Sequence, residues 1–126
     1  MTQSDIWALS DFNAAGYRDV EPGCVALHRK QEKVIDVREP HEFDDALGHV
    51  PQAQLVPLRE VGMSASHWDP EEPVVVVCRS GGRSARAASL LAGMGFTRVM
   101  NVRGGMLAWK DRGLPVERGG LNVGAA

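Results

Sequence analysis

Cys78 stands where two contrasting stretches meet. Four valines (Val74 to Val77) precede it, and Arg79, Ser80, Gly81, Gly82, Arg83 and Ser84 follow. A buried strand that turns directly into a helix aims its loop amides at one point. Together with the positive end of the helix dipole, they make an anion site. Gly81 and Gly82 let the backbone curl and approach a ligand without side-chain clashes. Cysteine thiols, ordinarily near pKa ~8.5, fall to ~3.5–7.5 at helix N-termini beside basic groups. Arg79, Arg83 and Arg86 add to that field, since a unit charge pair at 4 Å near a protein surface is worth about 4 kcal/mol before screening. The alternative is a small buried hydrophobe at a strand end, a common fate of free cysteine. An inert thiol needs neither a glycine loop nor charge, so the pattern predicts a reactive thiolate at Cys78.

Other residues could support this chemistry. Asp36 and Arg38 follow a second apolar run, on the edge where α/β folds place their sites. They either brace the Cys78 loop and substrate mouth or form an ordinary loop salt bridge. Glu42, one turn later, is placed to neutralise Arg79 or Arg83. His41, Glu42 and His49 lack the His-Glu-x-x-His spacing and have no cysteine beside them, so no metal site is expected. His49 is read as a backbone-bonded structural histidine, Trp109 as core, and Cys24 as a packing residue. His67 and Trp68 either border the pocket or cover the surface. Gly104 and Gly105 are read as allowing the last helix to approach the sheet closely.

The elements that must position these residues alternate between short apolar runs and helical patterns, as a parallel α/β sheet requires. Strands are expected near 17–20, 33–37, 54–56, 74–77 and 98–102. Helices are expected at 22–29, 41–44, 57–61 (one turn), from 82 or 83 to 94, and at 105–111, with 62–73 read as loop. Val74 to Val77 are apolar on both faces and should form a central strand covered on both sides. The chain divides into a leader (1–16), one domain (17–116) and a Gly-rich tail (117–126) expected to be flexible.

A chain of 126 residues with a formal charge of -2 fits one domain that buries roughly two-thirds of its unfolded surface. Nothing in that balance points to nucleic acid or an anionic membrane. No apolar run approaches the ~20 residues that span a bilayer. The opening MTQSDIWALSDF lacks a basic-then-apolar signal pattern, so a cytoplasmic protein with two free thiols is expected.

Three stretches carry a resemblance: VVVVCRSGGRS (74–84), VIDVREPHEFDDALGHVPQAQLVPL (34–58) and VRGGMLAWKDRGLPV (102–116). In this order they resemble the active-site segment, the Asp-x-Arg…Gly-His-Ile-Pro-x-Ala segment and the Gly-Gly-x-x-x-Trp…Gly-x-Pro ending of the rhodanese family of sulfurtransferases. Gln52 stands where the family more often has glycine, and Val50 where isoleucine is usual. The resemblance implies a five-stranded parallel sheet flanked by helices on both faces. It also implies a cysteine, here Cys78, that takes a sulfane sulfur from thiosulfate or a persulfide donor and passes it to cyanide or a thiol. The loop 79–84 would hold the persulfide. No metal or organic cofactor is implied. A protein sulfur donor or acceptor is compatible with this reading.

Two other functions share the fold. A cysteine-based phosphatase or arsenate reductase resembles Cys-x5-Arg, whereas here the arginine comes five positions after the cysteine and the sixth is Ser84. A catalytically idle regulatory or partner-binding domain would need neither Cys78 nor its glycines.

Overall fold

The computed structural model describes residues 4–119. Val74–Val77, the β-branched run, is strand β5, and all four residues are buried. It lies inside a six-stranded sheet. The other strands are β1 (Asp11–Phe12), β2 (Arg18–Val20), β3 (Lys33–Asp36), β4 (Gln54–Leu55) and β6 (Val99–Val102), in the order β1-β2-β6-β5-β3-β4. β2 through β6 pair in parallel. The strand count is a correction to the expected five. The leader contributes β1, which pairs antiparallel with β2 through Asp11 and Phe12. Two exposed residues carry no alternating apolar signal, so nothing in the pattern marked them as a strand.

Helices cover both faces. The side chains of β5 alternate between two cores, as the pleat requires. Val75 and Val77 pack with Val25, Phe43, Met106 and Trp109. These come from α2 (Pro22–His28), α3 (Pro40–Phe43) and α6 (Gly105–Asp111). Ile6 of the short leader helix α1 (Asp5–Ala8) joins that core. Val74, Val76 and Cys78 pack with Val61, Ala65, Ala87, Ala88 and Leu91, from α4 (Val61–Ala65) and α5 (Gly82–Gly93). Helix α4 replaces part of the expected 62–73 loop. Its Gly62 and Ser64 read as loop residues, yet Val61 and Ala65, four apart, are both buried against α5.

The expected flexible tail begins with a fixed residue. Glu117 exchanges backbone hydrogen bonds of 2.8 and 2.9 Å with His49, and residues 120–126 of that tail lie outside the described residues. No helix among the described residues is long and apolar enough to cross a membrane.

Candidate active site

Cys78 follows directly on β5 and is 1% exposed. Four residues separate the end of that strand from the start of α5, and Gly81 is the last of them. At φ 112° it occupies a left-handed conformation that side chains rarely tolerate. This turn folds the chain back, so that the Gly81 N–H donates to Cys78 Sγ at 3.1 Å. Ser84, in the first turn of α5, places its Oγ 3.3 Å from the same sulfur. Of the loop amides expected to form a cradle, Gly81's is the one hydrogen-bonded to the sulfur itself.

A second element fixes the loop from behind. The N–H groups of Met106 and Leu107 in α6 donate to the carbonyls of Cys78 and Arg79 at 2.9 and 3.0 Å. A Cβ on Gly105 (φ 60°) would lie 2.5 Å from both of those carbonyl oxygens. Gly105 therefore serves close approach to the cysteine loop, a sharper role than the expected contact with the sheet, whereas a Cβ on Gly104 (φ 76°) would meet Ala108 of α6 at 2.6 Å.

Charge is distributed unevenly around the sulfur. Arg83 forms a two-pronged ion pair with Glu42, at 2.7 and 2.9 Å. The Glu42 carboxyl is pulled down to about 2, chiefly by the Arg83 hydrogen bonds, with burial opposing. Arg79 and Ser80 are exposed on the loop. Arg83 and Arg86 line an open groove of about 550 Å³ beside the site, together with Arg59, Leu58 and Leu90.

Asp36 and Arg38 are fully buried and paired at 2.8 Å. Arg38 also donates to the Gly48 carbonyl at 2.7 Å. Among the described residues no hydrogen bond joins either to the Cys78 loop. Arg38 instead anchors the segment containing α3, which presents Glu42 to Arg83. His49 is backbone-bonded as expected, with Nδ1 2.8 Å from the Phe43 carbonyl oxygen. Trp68 meets Phe96 edge-on at the opposite end of the sheet, where Lys33 Nζ lies 4.2 Å from its ring centre. It is surface cover.

Sequence reasoning missed Asn101. It is buried in β6 and its Oδ1 lies 2.5 Å from Ser84 Oγ. A single polar residue inside the run Val99-Met100-Asn101-Val102, with its side chain on the α5 face, was the available signal.

The profile of the rhodanese-like domain family matches residues 24–112 of the chain. The chain belongs to that family. A sulfurtransferase of Allochromatium vinosum is 39% identical to this rhodanese-like chain over 83 residues, covering 66% of it and 76% of the relative. The thiosulfate sulfurtransferase GlpE of Vibrio cholerae is 31% identical over 99 residues, covering 79% of this chain and 92% of the relative. Among solved structures, a rhodanese-related protein from Thermoplasma volcanium superposes with a TM-score of 0.71 at 28% identity. That match covers 79% of this chain and 96% of the other. Relatives named as sulfurtransferases support the same kind of enzyme here.

Proposed function

We propose that this rhodanese-like domain, within residues 17–116, moves a sulfane sulfur from thiosulfate or a persulfide donor to cyanide or a thiol through Cys78. The observation that carries the reading is the sulfur of Cys78 receiving an N–H from a left-handed glycine at the start of α5. In the first step the Cys78 thiolate attacks the outer sulfur of thiosulfate. A new S–S bond forms, and the old one breaks with its electron pair leaving on sulfite. The terminal sulfur of the resulting persulfide is then attacked by the acceptor, and the Cys78 thiolate departs. A preorganised donor such as the Gly81 amide stabilises anionic sulfur without rearranging, an effect worth a few kcal/mol in comparable sites. Arg79 and Arg83 give the mouth positive charge for an anionic donor. Arg83 works at a discount, because Glu42 already holds it.

The loop spacing argues against phosphate. A Cys-x5-Arg ring is wide enough to grip three oxygens of a tetrahedral anion, with the arginine closing it by a two-pronged contact. Here the ring is one residue shorter, and the two prongs of Arg83 go to Glu42. Thiosulfate-dependent thiocyanate formation by the wild type, lost in Cys78→Ser, is the expected result, with negligible hydrolysis of a small aryl phosphate. Robust phosphatase activity that disappears in Cys78→Ser would overturn the reading.

A further inference from the structure

Asn101 is 6% exposed and lies among apolar neighbours in β6. A carboxamide in such a place must settle both its donor and its acceptor. Its Nδ2 faces Asp19 Oδ1 at 3.4 Å, and Asn13 Nδ2 donates to the other Asp19 oxygen at 3.0 Å. A carboxylate only accepts, so turning Asn101 over would set two oxygens against each other. The carbonyl of Asn101 is thereby fixed toward Ser84. The Ser84 hydroxyl has one proton and three acceptors in reach: Asn101 Oδ1 at 2.5 Å, Cys78 Sγ at 3.3 Å and the Gly81 carbonyl oxygen at 3.3 Å. The shortest contact takes the proton, leaving a Ser84 lone pair for the sulfur.

That arrangement favours Cys78 as a thiol, which donates its S–H to Ser84 Oγ. A thiolate requires the reverse. Ser84 must then swing its proton from Asn101 to the sulfur, and the buried Asn101 oxygen loses its donor. Leaving a buried polar atom unpaired disfavours that state.

We propose that Asn101 is a positioning residue for Cys78: oriented by Asp19, it holds the Ser84 proton away from the sulfur and so raises the pH at which Cys78 becomes a nucleophile. The inference rests on Cys78 being the reacting residue. The charged groups around Cys78 are Arg83 on α5 with its partner Glu42 on α3, Asp36 on β3, Arg79 in the loop and Asp19 on β2. Asn101→Ala leaves the first four with their own contacts and takes one hydrogen bond from Asp19, whose other oxygen keeps Asn13, and the Ser84→Ala background separates that change from the effect of the hydroxyl.

The test is the pH profile of iodoacetamide alkylation of the full chain, in a Cys24→Ser background so that one thiol reacts. In Asn101→Ala the half-maximal pH should fall by about 0.5–1 unit, a roughly 3- to 10-fold faster reaction below the wild-type midpoint. In a Ser84→Ala background the same substitution should shift nothing further. A residue with a merely structural role would not lose its effect in this way. Should Asn101→Ala fold poorly, Asp19→Asn tests the same point. It frees Asn101 to turn its amide toward Ser84, and should lower the midpoint more in the presence of Ser84 than in its absence. An unshifted midpoint, or a shift undiminished by Ser84→Ala, overturns the proposal. Alkylation needs no thiosulfate, so a protein that never accepts sulfur yet shows the Ser84-dependent shift would sink the sulfur-transfer reading and leave this inference standing.

Discussion

The two cysteines occupy the same kind of place in the fold and differ in everything that matters for chemistry. Each follows a parallel strand at the C-terminal edge of the sheet, and each is within reach of a helix start. Cys24 lies in the first turn of α2, only four residues past the end of β2. Burial, followed by Glu21 and Glu32, pushes its thiol up. Cys78 instead precedes its helix, in a loop that turns back through Gly81, and its neighbouring charges include Arg83, whose guanidinium is held charged chiefly by its hydrogen bonds to Glu42. A helix N-terminus is therefore common to both cysteines and does not set them apart. The difference lies in a loop long enough to curl, a glycine to turn it, and a second helix to hold its carbonyls.

The largest expected effect breaks that last element. Gly105→Ala places a Cβ against the carbonyls of Cys78 and Arg79 at a positive φ. It should cost about 3 kcal/mol of stability and most of the sulfur-transfer rate. On the other cysteine's helix, Gly23→Ala meets nothing within 4 Å and should change stability by no more than about 0.5 kcal/mol. Denaturant unfolding of the two variants measures the contrast. Equal losses would mean that the backing by α6 is not special.

A smaller effect is expected at Glu42. Its carboxyl is held near 2, below its ordinary 4.5, so the pair with Arg83 stabilises the fold above about pH 4.5 and the contribution is lost as pH falls toward 2. Because Arg83 is about a third exposed, the contribution is discounted to about 1–2 kcal/mol. Glu42→Gln should be less stable than wild type at neutral pH by that amount, with the gap closing in acid. Glu21→Gln, beside Cys24, removes only half-exposed pairs with Arg103 and Arg112. It should change stability by about 0–1 kcal/mol across the same range. Unfolding curves at several pH values separate the two.

The smallest effect lies on the Cys24 side and should leave chemistry alone. Gln52 lines a cleft with Val25 and Ala26 of α2 and has φ 65°, the only positive φ outside glycine among the described residues. Gln52→Gly should raise stability by about 0.5–1 kcal/mol with sulfur transfer unchanged. A loss of stability would mean that the Gln52 side chain contributes more than its backbone strain costs.

Much of the cysteine loop was legible because its signals are local. A valine run, a cysteine and paired glycines force a strand, a turn and a helix start whatever surrounds them. The residues that escaped notice act across the sheet. Asn101 meets Ser84 only because β6 lies beside β5, a neighbour relation that spacing along the chain does not reveal. Helix α4 and strand β1 are too short to show a period, and form because Val61 and Ala65 find α5 and because Asp11 and Phe12 find an open edge of β2. Gln52 is the reverse case. The departure from glycine was visible, but its consequence appeared only once the backbone angle was known.

Intact mass spectrometry after exposure to thiosulfate, with and without a following dose of cyanide, bears most directly on the central claim. Wild type and Cys24→Ser should each gain the mass of one sulfur atom and lose it again to cyanide, while Cys78→Ser should gain nothing. Sulfur retained by folded Cys78→Ser, or a folded Cys24→Ser that takes up none, would contradict the account.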